Sequence, residues 1–277
     1  MAIRTDYHLH THHSGDSEAP MEDVICSGIS LGLTDLCFTE HMDLDFPEGQ
    51  GVAPDTFTLD ADAYLAEFRE LSPRYKDRIR LHFGVECGMQ ESCLKETNDF
   101  IKSYPFDVVL GSVHLLYRED PYLPSFFGDH PERSESKALL DYFETTYRML
   151  QLDYDIDVLA HLDYLIRYCP GSDRKYPYPG SIYDDIIDAI LQELVRREIA
   201  LEVNTSALRK GMGNPNPPLA VIRRYKELGG KLLSVGSDAH LAKDLAARFS
   251  EAEKILKEAG FREYTIFQNR KPVFLPL

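Results

Sequence analysis

Residues 3–16 read IRTDYHLHTHHSGD, a short apolar run that ends in alternating histidines. His8 and His10 are two residues apart near the end of a predicted strand, so their side chains point to the same face of that strand. Similar apolar runs recur along the chain, and amphipathic stretches with a helical period separate them. The predicted strands are Ile3 to Leu9, Leu33 to Thr39, Ile79 to Val85, Asp107 to Val113, Ile156 to Ala160, Ala200 to Asn204 and Lys231 to Val235.

Strands that alternate with helices favour right-handed crossovers and a largely parallel α/β sheet, either closed as a barrel or open. The clearest helix is predicted from Ser181 to Ile199, with Ser181 as its cap and an apolar stripe that includes Ile182. Another helix is predicted to begin after Asp60 and to end before Pro73. No linker or repeat interrupts the pattern, which predicts a single domain over residues 1–277.

The composition is that of a globular, acidic protein, with 277 residues and a formal net charge of -16. This charge argues against binding to nucleic acid or to an anionic membrane surface. No run of about 18 apolar residues is present to span a membrane, and no signal peptide is recognisable, so we expect a cytoplasmic protein. The five cysteines lack a C-x-x-C pair and suit a reducing compartment.

Polar residues follow the predicted strands at equivalent positions. Most are histidines or carboxylates, in the segments FTEH, GVE, GSVH, AHLD and GSDAH. In a parallel barrel the carboxyl ends of the strands form the active face, so these side chains are predicted to converge on one mouth. Neutral imidazole and carboxylate are ligands suited to zinc, iron or manganese, which predicts a metal site.

The ordered set DYHLHTHHSGD, FTEH, GVECG, GSVH, AHLD and GSDAH resembles the polymerase-and-histidinol-phosphatase (PHP) family of metallophosphoesterases. The segments AHLDYLIRY, LEVNTSALRKG and FQNRKP are most similar to its histidinol-phosphate phosphatase branch. The resemblance implies a distorted seven-stranded (β/α) barrel with three divalent metal ions at the carboxyl ends of the strands.

The resemblance also implies a ligand set for each ion. One ion would be held by His8, His10, Glu86 and Asp238, and Glu86 would bridge to a second ion held by His114 and His161. The third would be held by Asp16, His41 and His240, although His12 and His13 compete with Asp16 for this role. Glu86, Asp238 and His240 are the residues expected to take part in catalysis.

For the reaction, the resemblance implies that L-histidinol phosphate is hydrolysed to L-histidinol and phosphate, a late step of histidine biosynthesis. A metal-bridging hydroxide would attack phosphorus. Arg167 and Arg209 are expected to bind the phosphate because a guanidinium matches its geometry. Glu18, Asp43 and Tyr117 are candidates for contacts with the rest of the substrate, Tyr117 from a long loop between Leu116 and Ser134.

Three alternatives remain open from the sequence. A nucleoside-phosphate phosphatase of the same family would use the same metals. An amidohydrolase-type C–N hydrolase also begins with H-x-H after its first strand and has an aspartate after its last. A non-catalytic metal-binding module is the third alternative. The sequence does not predict the oligomeric state.

Overall fold

Seven parallel strands form the central sheet, and each strand pairs with the next one along the chain. The computed structural model describes residues 3–49, 51–53, 55–171 and 174–277. The strands of this sheet are β1 Thr5–Asp6, β2 Asp35–Met42, β3 Arg80–Gly88, β4 Val108–Ser112, β5 Val158–Leu159, β6 Ala200–Asn204 and β7 Leu233–Gly236.

Helices lie between the strands and bury their apolar faces in one continuous hydrophobic core. They are α1 Met21–Ser30, α2 Ala61–Tyr75, α3 Leu94–Ser103, α4 Ser125–Gly128, α5 Glu135–Gln151, α6 Asp184–Arg197, α7 Ser206–Arg209, α8 Leu219–Glu227 and α9 Phe249–Glu258. Among the described residues, none of these helices has the length and apolar character needed to cross a membrane.

The sheet curls until its first and last strands meet. The Tyr7 amide donates to Val235 O at 3.2 Å, and the Asp238 amide donates to His8 O at 2.7 Å. The carboxylate of Asp6 accepts from the amide and the hydroxyl of Ser237, at 2.9 and 2.6 Å, which ties the two strands together. These bonds nearly close a seven-stranded α/β barrel, so the predicted fold class is confirmed.

The seven predicted strands are all present, but several of their ends differ from the prediction. β1 and β5 are only two residues long, whereas β2 and β3 extend to Met42 and Gly88. As a result His41 and Glu86 lie within strands, and the parallel register pairs them directly. The register therefore sets a histidine beside a carboxylate at the same height in the barrel.

Two helix boundaries were predicted wrongly. α6 begins at Asp184, because the Ser181 hydroxyl accepts from the Tyr183 amide at 3.1 Å in a turn before the helix. Ile182 lies in this turn and is 65% exposed, so it does not belong to the buried stripe. α2 is capped by Asp60 as predicted, but it continues past Pro73 to Tyr75, since a proline in the last turn removes only one helical hydrogen bond.

A C-terminal hairpin, β8 Glu263–Gln268 and β9 Lys271–Pro276, was not predicted. Its two-residue turn, Asn269–Arg270, has positive φ values of 49° and 63°, as a type I′ turn requires. β8 packs against the amino-terminal end of the barrel, where the Leu233 amide donates to the Thr265 hydroxyl at 3.1 Å. The hairpin covers this end and leaves the carboxyl ends of the strands for a site.

Candidate metal centre

Glu86 lies fully buried near the carboxyl end of β3, and each of its oxygens faces different histidines. Its Oε1 lies 2.9 Å from His161 Nε2 and 3.2 Å from His114 Nε2. The Ser112 hydroxyl also donates to Oε1, at 2.6 Å. A carboxylate with separate partners on its two oxygens has the arrangement that bridging two metal ions requires.

The other oxygen, Oε2, faces three more imidazoles. It lies 3.2 Å from His8 Nε2, 3.4 Å from His10 Nε2 and 3.1 Å from His41 Nδ1. All four of these buried atoms lack a hydrogen-bond partner among the described residues. Unpaired buried polar atoms are costly in a folded protein, and bound metal ions would satisfy them.

Asp238 extends this group from the residues that follow β7. Its Oδ1 lies 3.8 Å from His8 Nε2 and 3.7 Å from His10 Nε2. Burial alone would raise the pKa of Asp238, but Arg167 and the nearby histidines outweigh it and hold this pKa well below its usual range. Asp238 therefore offers a carboxylate. Its backbone has a positive φ of 53°, the kind of strain that folded proteins retain at functional sites.

A third group lies on the outer side of His10. The His10 ring stacks between the rings of His41 and His240, with centroid distances of 4.2 Å to each. Burial and these two histidines lower the pKa of His10 well below its usual value, which keeps its imidazole neutral and able to ligate a metal. Asp16 Oδ2 lies 3.1 Å from His240 Nε2 and 3.6 Å from His41 Nε2, whereas the His12 and His13 side chains point to Glu67.

The ligand atoms form overlapping groups of three, within 4.8 Å of one another in each group. The groups around the barrel mouth are His8, His10 and Asp238; His8, Glu86 and His161; His41, Glu86 and His114; and His10, His41 and His240. Nitrogen and carboxylate oxygen in this proportion suit zinc, iron or manganese. The described residues thus fit a multinuclear metal centre.

Two further carboxylates orient the histidines. Glu202, which the sequence analysis missed, accepts from His8 Nδ1 at 2.6 Å and from the His161 amide at 2.7 Å. Both oxygens of Asp43 lie 3.0 Å from His114 Nδ1. Each carboxylate leaves the Nε2 atom of its histidine turned towards Glu86. Asp43 was predicted to contact substrate; it lines the cavity beside these ligands, and its carboxylate contacts a candidate metal ligand.

The approach of His8 to Glu202 depends on Gly236. A Cβ at this position would lie 2.2 Å from His8 Cβ and 2.7 Å from Glu202 Oε1. Only glycine lets β7 come this close to the side chains that project from its neighbours.

A cavity of about 360 Å³ opens over the candidate metal ligands, and its lining includes Arg167, Arg209 and Lys210. Arg167 is buried, donates to Asp238 Oδ2 at 2.7 Å, and keeps its Nη2 atom without a partner among the described residues. Arg209 donates to the backbone oxygen of Ser237 at 3.0 Å. The cavity therefore combines candidate metal ligands with fixed guanidinium groups, which suits a phosphate ester.

Known proteins resemble this chain over most of its length. Residues 6–206, which are more than half of the chain, match the PHP domain family. This chain belongs to the PHP domain family. A histidinol-phosphatase of Lactococcus lactis is 32% identical over 268 residues, which cover 97% of this chain and 96% of that protein.

Two solved structures share the fold of this chain. The histidinol phosphate phosphatase of Lactococcus lactis, determined in complex with zinc, L-histidinol and phosphate, superposes with a TM-score of 0.88 at 31% identity. The match covers 98% of this chain and 99% of that one. A protein of Listeria monocytogenes shares the fold with a TM-score of 0.73 at 20% identity, over 89% of this chain and 99% of its own.

Aromatic and acidic side chains also line the cavity of this PHP chain. The aromatic residues are Tyr122, Tyr164, Tyr168, Phe46 and Phe57. Asp120 lies among them and is buried, with Oδ1 accepting from the Tyr122 amide at 2.8 Å. Asp120 could not be predicted, because nothing in the sequence distinguishes this residue from the other acidic residues of a long loop.

Two predicted substrate contacts lie elsewhere. Tyr117 is 46% exposed and its hydroxyl donates to Asp141 on α5, so its ring lines a groove outside this cavity. The backbone has a positive φ of 57° at Tyr117. Glu18 is exposed and does not line the cavity either. Both residues are close to ligand motifs in the sequence, but the backbone turns their side chains outward.

Proposed function

We propose that this chain is a metal-dependent phosphomonoesterase that hydrolyses L-histidinol phosphate to L-histidinol and phosphate. The observation that carries the proposal is the position of Arg167, with an unpaired Nη2, in the same cavity as the ligands around Glu86. A phosphate ester needs both cations and metal ions close to its oxygens. The Lactococcus lactis enzyme, 31% identical to this chain, was solved with zinc, L-histidinol and phosphate.

We assign three divalent ions to this centre, with zinc, iron and manganese as the candidate metals. The first ligand set is His8, His10, Glu86 and Asp238; the second is Glu86, His114 and His161; the third is Asp16, His41 and His240. Divalent ions bound there supply Lewis-acid activation of water and neutralise charge on phosphoryl oxygens. The unpaired Nε2 atoms of His8 and His10 and the unpaired Oε2 atom of Glu86 support the first set.

The residues of the chain position the phosphate. Arg167 is held by Asp238 and by Asn216 Oδ1, which accepts from its Nε at 2.8 Å, so its remaining Nη2 is fixed before substrate arrives. Burial and the neighbouring Arg167 lower the pKa of Lys210 to about 8, which leaves it mostly protonated at neutral pH. Arg209 adds a third cation to the lining of the same cavity. A preorganised site binds a dianion with little ordering cost.

We place the amino-alcohol part of the substrate against the aromatic and acidic side chains of the cavity. We place its ammonium group near Asp120, since a buried carboxylate surrounded by tyrosines favours a cationic partner. Burial raises the pKa of Asp120, and a bound ammonium would lower it again. The tyrosine and phenylalanine rings offer stacking surfaces to the imidazole.

The proposed reaction belongs to histidine biosynthesis, and we place the protein in the cytoplasm. Its five cysteines are all free, as a reducing compartment favours.

The test is a phosphate-release assay on the metal-loaded protein, with L-histidinol phosphate, nucleoside monophosphates and a dihydroorotate-type ring as substrates. We expect kcat/KM for L-histidinol phosphate to exceed that for nucleoside monophosphates by at least about 100-fold. A ratio of this size corresponds to roughly two specific contacts that only the preferred substrate makes. No hydrolysis of the ring is expected. Faster turnover of a nucleotide would refute the substrate, and ring opening would refute the reaction class.

A further inference from the structure

His12, His13 and Glu67 form another group of ligand atoms, outside the cavity described above. His12 and His13 lie in the turn between His10 and Asp16, and Glu67 lies on α2. None of the three lines the cavity over the metal centre. Their side chains are 42%, 10% and 30% exposed, so an ion in solution can reach them without opening the barrel.

The three side chains converge on one point. Nε2 of His13 lies 2.7 Å from Glu67 Oε2, and Nε2 of His12 lies 3.2 Å from the same oxygen. The two imidazole rings have a centroid distance of 4.4 Å. In a tetrahedral zinc site with bonds of about 2.05 Å, ligand atoms are roughly 3.3 Å apart, so only small side-chain adjustments separate this group from a binding geometry.

The backbone that carries these ligands is already held in place. The His12 amide donates to Ala19 O at 2.9 Å, which closes the turn. The His13 ring lies against Tyr64, with a centroid distance of 5.4 Å. The hydroxyl of Tyr64 donates to backbone oxygens of β2 and β3, both at 3.1 Å, and so anchors α2 on the barrel. An ion that binds here would order little additional structure.

We propose that His12, His13 and Glu67 bind a divalent transition-metal ion at a surface site separate from the centre in the barrel. Two imidazoles and one carboxylate favour zinc, cobalt, nickel or copper over magnesium and calcium. Three protein ligands leave one position open to water, so this ion exchanges more readily than those buried in the barrel. The bound ion links α2 to the turn that carries Asp16 and stabilises that turn.

The proposal is tested by counting ions on the full-length, metal-loaded protein. Equilibrium dialysis against micromolar zinc, followed by elemental analysis, gives the number of ions per chain. His12→Asn and Glu67→Gln each remove one surface ligand, and Glu70→Gln is the matched control, since Glu70 lies one turn further along α2 and is 74% exposed. The wild type and the control should each bind one ion more than the two ligand variants.

Two further measurements separate this site from the barrel centre. The two ligand variants should keep the phosphatase turnover of the wild type, because their missing ion is not among those in the cavity. Zinc added beyond saturation of the barrel should raise the thermal unfolding midpoint of the wild type but not that of the ligand variants. Equal numbers of ions in all four proteins would overturn the proposal and leave His12, His13 and Glu67 as a hydrogen-bonded cluster only.

Discussion

Replacing Glu202 by glutamine tests whether this carboxylate sets the tautomer of His8. In the wild type, Glu202 accepts from His8 Nδ1 at 2.6 Å and from the His161 amide at 2.7 Å. The carboxylate accepts on both oxygens, which fixes the proton of His8 on Nδ1 and leaves Nε2 free to ligate a metal. An amide of the same shape has one acceptor and one donor, so it cannot satisfy both partners.

The size of the effect follows from the two orientations open to the amide. If its nitrogen faces His8, the imidazole proton moves to Nε2 and blocks a metal ligand. If its nitrogen faces the His161 amide, two buried donors oppose each other at a cost of about 1–3 kcal/mol. Loss of a partner that orients a metal-ligating histidine typically weakens metal binding by about 10–100-fold, or roughly 1.4–2.7 kcal/mol. We expect Glu202→Gln to lose metal affinity within that range.

The assay is a competition titration with a chromogenic chelator, combined with urea denaturation of the metal-loaded proteins. Glu70→Gln is the control for the same chemical change on the surface, where no effect is expected. Glu202→Gln should release its most weakly held ion at a lower chelator concentration and should turn over substrate more slowly. Wild-type affinity and wild-type turnover in this variant would refute the role assigned to Glu202.

Three other variants test the remaining parts of the site and the fold. Gly236→Ala would place a methyl group 2.2 Å from His8 Cβ and should therefore reduce the free energy of unfolding by about 1–3 kcal/mol. An unchanged midpoint of urea denaturation would contradict this packing argument. Arg209→Met should raise KM about tenfold, while elemental analysis should show an unchanged metal content. Equal losses of substrate affinity and of metal content would indicate a structural role. Burial raises the pKa of Asp35, but hydrogen bonds from His82 and Arg80 outweigh it and lower that pKa to about 2. Asp35→Asn should therefore reduce the free energy of unfolding by about 1–2 kcal/mol above pH 4, a value that allows for the exposure of Arg80 to solvent. This difference from the wild type should vanish as the pH falls from 4 to 2. Acid denaturation curves that show the same difference at every pH would rule out the charge effect.

Much of the barrel could be predicted because its strands are short apolar runs between amphipathic helices. The period of two explains why His8 and His10 share a face, and the ends of parallel strands explain why distant motifs meet. The C-terminal hairpin escaped prediction because its turn, Asn269–Arg270, lacks the glycine that usually marks a type I′ turn. Here the left-handed conformation of Arg270 is stabilised by ion pairs with Asp155 and Asp157, which no local pattern reveals.

Predictions of individual contacts depended on whether the backbone direction was known. Asp43 and Glu202 are far from their partners in the sequence, so their bonds to His114 and His8 exist only after the strands are assembled. Tyr117 is close to His114 in the sequence, but the backbone between them turns its ring to the outside of the barrel. Proximity along the chain is therefore a poor guide to contacts made by loop residues.

By itself, the sequence determined the alternation of strands and helices and the set of candidate ligands, since both depend on local periodicity and residue chemistry. Tertiary structure decided which oxygen of Glu86 faces which histidine and which guanidinium atom of Arg167 is left to meet a ligand. It also turned His12 and His13 away from Asp16 and towards Glu67 on α2. These outcomes depend on distances of a few ångströms between segments far apart in the chain, which are fixed only when the barrel closes and its core packs.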